Sequence, residues 1–177
     1  MRVVAGDAKG RRLTAKLPGH VRPTTDMVRE AVFSSLASRI ELGGAAVCDL
    51  YCGSGAMGIE ALSRGAASCT FVDEDPACLA AARSNVAAAG LEGRDCRFVR
   101  ATLPRWATPG HVELVVCDPP YGPIDAAALL EGLDAELVVV ESDRALDAVP
   151  GWEVSTERRY GGTLVTMLAH GRDDAPT

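Results

Sequence analysis

The sequence has no stretch of eighteen or more uncharged apolar residues, which excludes a membrane-spanning helix. Its cysteines, Cys48, Cys52, Cys69, Cys78, Cys96 and Cys117, form no CxxC pair. That spacing argues against a zinc or disulfide framework, and the apolar runs around several of them suit small buried hydrophobes in a reducing cytoplasm. Histidine is scarce: His20, His111 and His170 have no ligand spacing, so no metal is expected. Aromatic residues make up only 5% of the chain, and Trp106 and Trp152 read as core or edge packing rather than base-stacking platforms. The opening Met1–Asp7 lacks the apolar segment of a secretory leader, and a cytoplasmic protein is expected. There is no internal repeat, and no low-complexity tract beyond alanine richness.

What is present is an ordinary globular composition. With 177 residues, 47% hydrophobic and 24% charged, the chain can bury a sizeable core as one domain. The charge is unevenly spread. Residues 1–39 carry eight Lys/Arg against three acids, an excess of +5, so the overall net charge of −6 leaves −11 on the rest. A basic arm on an acidic body suits contact with phosphate at one end, and equally suits a solvated basic surface.

Residues 2–17 read as two short strands around Lys9-Gly10. Thr25 or Asp26 caps a helix whose apolar positions Val28, Val32, Phe33, Leu36 and Ile40 fall at helical spacing. Strands and helices then alternate. Strands are predicted at Ala45–Leu50, Ser68–Val72, Cys96–Arg100, Val112–Cys117 and Leu137–Glu141. Helices are predicted at Met57–Arg64, Pro76–Ala89 and Asp125–Leu133. Glu153–Arg159 and Thr163–Leu168, joined by Tyr160-Gly161-Gly162, form a closing hairpin, and residues 171–177 a tail. This order predicts a largely parallel sheet covered on both faces, with an antiparallel strand near its end.

Two segments carry chemistry. In the first, Asp49-Leu50-Tyr51-Cys52-Gly53-Ser54-Gly55-Ala56-Met57-Gly58 contains a GxGxxG, and Asp73 ends the next strand. That pattern fits a dinucleotide site. A pyrophosphate over the turn, however, would meet the Asp49 carboxylate. S-adenosylmethionine has no phosphate, and both its ammonium and its sulfonium favour a carboxylate. On this reading Asp49, Tyr51, Gly53, Ser54 and Gly55 line the cofactor, and Asp73 accepts from the ribose hydroxyls, with Glu74 crowding the same turn. The plainer reading is that Asp49 caps the turn and the glycines only tighten it.

The second segment is Asp118-Pro119-Pro120-Tyr121, after the fourth strand. The prolines stiffen the turn and remove two donors. What remains is the Asp118 carboxylate, the Pro119 carbonyl and the Tyr121 face, a set suited to a planar amine. An ordinary rigid turn is the alternative. In a doubly wound sheet the first and fourth strands are neighbours, which would place both segments in one crevice. Asn85, inside an alanine-rich helix, reads as a polar anchor for a neighbouring loop. Arg158, Arg159 and Tyr160 are candidates to touch RNA.

Taken together, Arg22-Pro-Thr-Thr-Asp-Met-Val-Arg-Glu30, the Asp49–Gly65 segment and Asp118-Pro-Pro-Tyr121 resemble the RsmD-type bacterial methyltransferases. The likeness runs to about Leu168. It implies a Rossmann-like class I domain at 21–170, a seven-stranded mostly parallel sheet with one antiparallel strand, and a basic N-terminal β-hairpin extension at 1–20. It implies S-adenosylmethionine-dependent methylation of the exocyclic N2 of a guanine in 16S rRNA. The partner implied is the small ribosomal subunit or its assembly intermediate, met by a monomer. Asp118, Pro119, Pro120 and Tyr121 would hold the base. Thr24 and Arg29 would join the cofactor site, while Lys9, Arg11, Arg12 and Arg22 would meet RNA. Adenine-N6 or protein-glutamine methylation and an NAD-dependent oxidoreductase are the rival readings. The sequence departs from the family at Met27, Cys52, Met57, Asp73 and Ala101-Thr102.

Overall fold

The computed structural model describes residues 1–16, 25–120 and 122–171. Helix α1 spans Asp26–Leu36, with the Thr25 side chain accepting from the Val28 amide at 3.3 Å. After it come β1 (Ala46–Leu50), α2 (Ala56–Ser63), β2 (Ser68–Asp73), α3 (Pro76–Ala88) and β3 (Asp95–Arg100). The chain continues through β4 (Val112–Cys117), α4 (Ala126–Leu130), β5 (Ala135–Ser142), β6 (Trp152–Tyr160) and β7 (Thr163–His170). The seven strands form one sheet in the order β3-β2-β1-β4-β5-β7-β6. Only β7 runs against the rest, pairing antiparallel with both β5 and β6. No helix among the described residues is long and apolar enough to cross a membrane.

The alternating order dictates this topology, because each helix returns the chain to start a parallel strand. Both sheet faces are covered, so the central strands are apolar almost throughout. Val47, Leu114 and Val139 pack on one face with Phe33, Ile59, Leu62 and Val86 from α1, α2 and α3. Cys48, Val115 and Val138 pack on the other with Leu129 and Leu130 of α4. Five of the six cysteines are buried and Cys96 is half-buried; all are free thiols. Burial pushes Cys48 and Cys78 up to about 12, so both stay protonated and behave as apolar filling.

Two expectations are corrected. The helix expected over Asp125–Leu133 ends at Leu130, because Gly132 takes a left-handed φ of 78° and stops it. The N-terminal hairpin forms, with the Val3 amide donating to the Arg11 carbonyl at 3.0 Å and the Leu13 amide to the Met1 carbonyl at 3.1 Å, but its strands are shortened to one antiparallel bridge between Arg2 and Arg12. The reason lies in α2. The Val4 and Ala5 amides donate to the two oxygens of Glu60 at 2.8 and 3.0 Å, and the Ala8 amide donates to Ser63 Oγ at 3.0 Å. Segment 4–8 is therefore held by side chains of a buried helix rather than by a partner strand. Gly6 fits this docking closely: a Cβ there would lie 1.8 Å from the Ser63 carbonyl oxygen.

Candidate active site

The glycine turn joins β1 to α2 and is shaped by two carboxylates. Asp49 is buried near the end of β1, and its Oδ2 accepts from the Gly58 amide at 2.8 Å. It therefore caps α2, which has no capping side chain of its own at Gly55. Asp73, ending β2, accepts from the Gly53 amide at 3.0 Å through Oδ2 and from the Asp75 amide at 2.9 Å through Oδ1. Tyr51 is the only described non-glycine residue with positive φ, at 56°, a strained conformation that marks the turn out from ordinary loops. It is half-buried, and burial, with Cys117 and Glu74 nearby, pushes its phenol up to about 12.

The glycines are close-packing positions. Gly53 and Gly55 have φ of 50° and 74°. A Cβ on Gly55 would come within 2.9 Å of the Ala82 Cβ on α3. A Cβ on Gly58 would lie 2.5 Å from Phe71 Cε1 and 2.6 Å from Cys69 Sγ on β2. Gly58→Ala is expected to destabilise the protein by about 1–3 kcal/mol through overpacking, read as a lower urea midpoint at unchanged slope.

Asn85, buried on α3, donates to the Ser54 carbonyl at 2.9 Å and accepts from the Ala15 amide at 3.0 Å. The anchoring role read from the sequence is thus seen, and it ties the N-terminal arm to the glycine turn. Ser54 is buried, and Glu74 is exposed, with its carbonyl accepting from Arg100 Nε at 3.1 Å.

The second segment lies one strand away. Strands β1 and β4 are neighbours, with Leu50 paired to Cys117, and the Asp118 amide donates to the Leu50 carbonyl at 3.4 Å. Asp118 is half-buried, Pro119 buried and Pro120 exposed. Strand alternation turns Asp49 toward the face covered by α1, α2 and α3, and Asp118, the first residue after β4, is near enough for its charge to act on Asp49. Burial is the main cause raising the Asp49 carboxyl well above the usual range. The Gly58 bond opposes this shift, while Asp118 and Asp73 add to it. Such an arrangement can hold a cation at the turn and a polar amine beside it.

Arg29 has partners that its sequence context did not announce. It is fully buried, pairs with Asp26 at 2.8 Å, donates to the Arg2 carbonyl and lies 3.4 Å from Glu60. Lys9, Arg11 and Arg12 are exposed on the arm. Thr24, Arg22 and Tyr121 lie outside the described residues. Sequence reasoning missed two buried carboxylates. Glu60, fully buried on α2, anchors the arm and pairs with Arg64 at 2.8 Å. Glu141, on β5, is 5% exposed and follows Val140, the partner of Cys117, as Asp118 follows Cys117. A charged residue inside the apolar run Ala135–Ser142 was the available signal.

Comparison with known proteins agrees with this architecture. The family model described as conserved hypothetical protein 95 matches residues 1–169. Ribosomal RNA small subunit methyltransferase D of Escherichia coli (strain K12) is 34% identical, over 99% of this chain and 94% of the relative. YlbH of Bacillus subtilis (strain 168) is 35% identical, over 94% of this chain and 91% of the relative. The solved structure of yhhF from Escherichia coli covers 96% of this chain and 97% of its own, at 33% identity and a TM-score of 0.79. The chain therefore belongs to the conserved hypothetical protein 95 family, the RsmD-type family that its motifs resemble.

Proposed function

We propose that this protein transfers a methyl group from S-adenosylmethionine to the exocyclic N2 of a guanine in 16S rRNA, within the small ribosomal subunit or its assembly intermediate. The observation that carries the reading is the Asp49 carboxylate on the Gly58 amide, one strand away from Asp118. A helix N-terminus already capped by a buried carboxylate disfavours a pyrophosphate and favours a cation. The name of the Escherichia coli relative, a small subunit rRNA methyltransferase, supports the same reading.

The cofactor supplies a methyl group on a cationic sulfur; nitrogen takes the methyl as the carbon–sulfur bond breaks and its electron pair stays on sulfur. The protein's part is positioning and charge. Asp49 and the glycine turn hold the cationic end, and Asp73 serves the ribose hydroxyls. The Asp118 carboxylate and the Pro119 carbonyl accept the two N–H bonds of the amine, and Tyr121 offers a stacking face. Holding both hydrogens turns the nitrogen lone pair out of the ring plane, toward the methyl group. As positive charge grows on nitrogen, Asp118 stabilises it, and the methylated nitrogen then gives up one proton to solvent to leave the neutral product.

The test is labelled methyl transfer to small subunits, with nucleosides resolved by mass spectrometry. N2-methylguanosine is the expected product. N6-methyladenosine, label on protein, or fluorescence quenching by NADH without methyl transfer would each overturn the proposal. The arm has its own test. Arg11→Glu with Arg12→Glu should raise the KM for subunits roughly tenfold at low salt and flatten its salt dependence, because two phosphate contacts are lost. The rate at saturating subunits should be unchanged, since these exposed side chains lie outside the proposed pocket.

A further inference from the structure

No hydrogen bond among the described residues accounts for the burial of one Glu141 carboxyl oxygen. Glu141 sits at the carboxyl end of β5, the edge of the sheet where the site lies, and is 5% exposed. Its Oε1 has no hydrogen-bond partner among the described residues. Arg29, the cation whose charge acts on it, uses Nη2 on Asp26 and the Arg2 carbonyl and lies 3.4 Å from Glu60, while its Nε and Nη1 make no hydrogen bond among the described residues, to Glu141 or to any other group. Burying an unpaired acceptor is costly, and a native fold that does so calls for an explanation. Burial, with the charges of Asp118 and Asp49, pushes the Glu141 carboxyl up to about 8 against the pull of Arg29. The carboxyl group therefore lies within reach of the charges of those two residues.

Register gives the explanation. Val140 and Cys117 form the last pair of β5 and β4, so Glu141 and Asp118 are the next residues on the two neighbouring strands, and the Asp118 charge reaches Glu141. Alternation places it with Val139, on the same face as Asp49. We infer that Glu141 is a specificity residue for the acceptor base, with Oε1 accepting the N1–H of a guanine whose N2 amino group rests on Asp118 and Pro119. The inference rests on the proposed function. Guanine carries an N–H donor next to its amino group, whereas adenine carries a bare ring nitrogen there. An acceptor beside Asp118 therefore suits guanine and opposes adenine, lone pair against lone pair. A glutamine amide has no second donor to offer it. Whether protonated or ionised, the carboxyl group retains an acceptor oxygen.

Two classes of variant test this. Glu141→Gln keeps an acceptor oxygen and should retain kcat/KM for small subunits within about fivefold, since a carbonyl oxygen still meets N1–H. Glu141→Met, similar in size but without an acceptor, should lose about 30-fold, because the donor is left buried and unpaired. Glu141→Ala removes the same oxygen without adding bulk and carries the same expectation, so misfolding of one variant leaves the other to decide. Adenosylhomocysteine affinity should stay within about threefold in all of them, and the melting temperature should not fall for Met, because an unpaired buried acceptor is being removed. Equal losses in Gln and Met, or no loss in Met and Ala, would overturn the inference while leaving the proposed function standing. A wild-type protein that leaves guanine N2 unmodified would instead remove the function itself, and the inference with it.

Discussion

Asp118→Ala is expected to lower methyl transfer to small subunits by about 10²–10³-fold, a loss typical of removing one group that stabilises developing charge. The loss should appear in kcat under single-turnover conditions. Adenosylhomocysteine affinity, measured by calorimetry, should stay within about threefold, because the proposed mechanism puts the acceptor on Asp118 and the cofactor on the neighbouring turn. Asp118→Asn should lie between the two, keeping one acceptor oxygen while losing the charge. The backbone bond from the Asp118 amide to the Leu50 carbonyl is kept in both variants. Equal loss of rate and of cofactor affinity would contradict an acceptor role and place Asp118 on the cofactor instead.

Asp49→Asn should weaken S-adenosylmethionine binding about 100-fold, the scale of a buried charge-assisted hydrogen bond. Asparagine is the informative replacement, because its amide oxygen can still accept from the Gly58 amide and keep α2 capped. Adenosine, which carries neither cation, should bind both proteins alike. The pH dependence follows from the raised carboxyl. Burial, helped by Asp118 and Asp73, makes Asp49 keep its proton further up the pH scale than an ordinary carboxyl. A bound cation favours the ionised form. Wild-type affinity should therefore fall as pH is lowered through that raised value, with proton release on binding, and the Asn variant should show a flatter profile. The stability of the empty protein has the opposite sign. A carboxyl whose folded pKa is raised contributes most stability below its unfolded value and loses it as pH rises through the folded one. Asp49→Asn should therefore not destabilise the empty protein at neutral pH. A variant that binds S-adenosylmethionine as wild type does would remove Asp49 from the site.

Much of this molecule was legible from short windows of sequence. The apolar run Val112–Cys117 declares a strand, and Gly53, Gly55 and Gly58 declare a turn that backs a helix closely onto a strand. Asp118-Pro119-Pro120 declares a rigid end to β4. The neighbouring positions of β1 and β4 follow from the alternation of strands and helices, and the observed order agrees. The first helix was predicted with its cap, and Thr25 provides it. The N-terminal hairpin is present, with the Val3 amide on the Arg11 carbonyl and the Leu13 amide on the Met1 carbonyl, but its strands are shorter than expected, because the Val4 and Ala5 amides find their acceptor 55 or more positions away on α2.

The sequence by itself determined the elements, their order and the chemical types at the ends of β1 and β4, because these depend on periodicity and on neighbours along the chain. Only the tertiary structure decided which charges are buried and which meet. It took Arg29 out of solvent against Glu60, turned Glu60 into the anchor of the arm, and set Glu141 beside Asp118. The physical reason is that burial and electrostatic partnership depend on distance through space. A carboxylate in an apolar run reads the same in sequence whether it supports a loop, completes an ion pair or waits for a ligand. Sheet register and helix packing alone separate those cases.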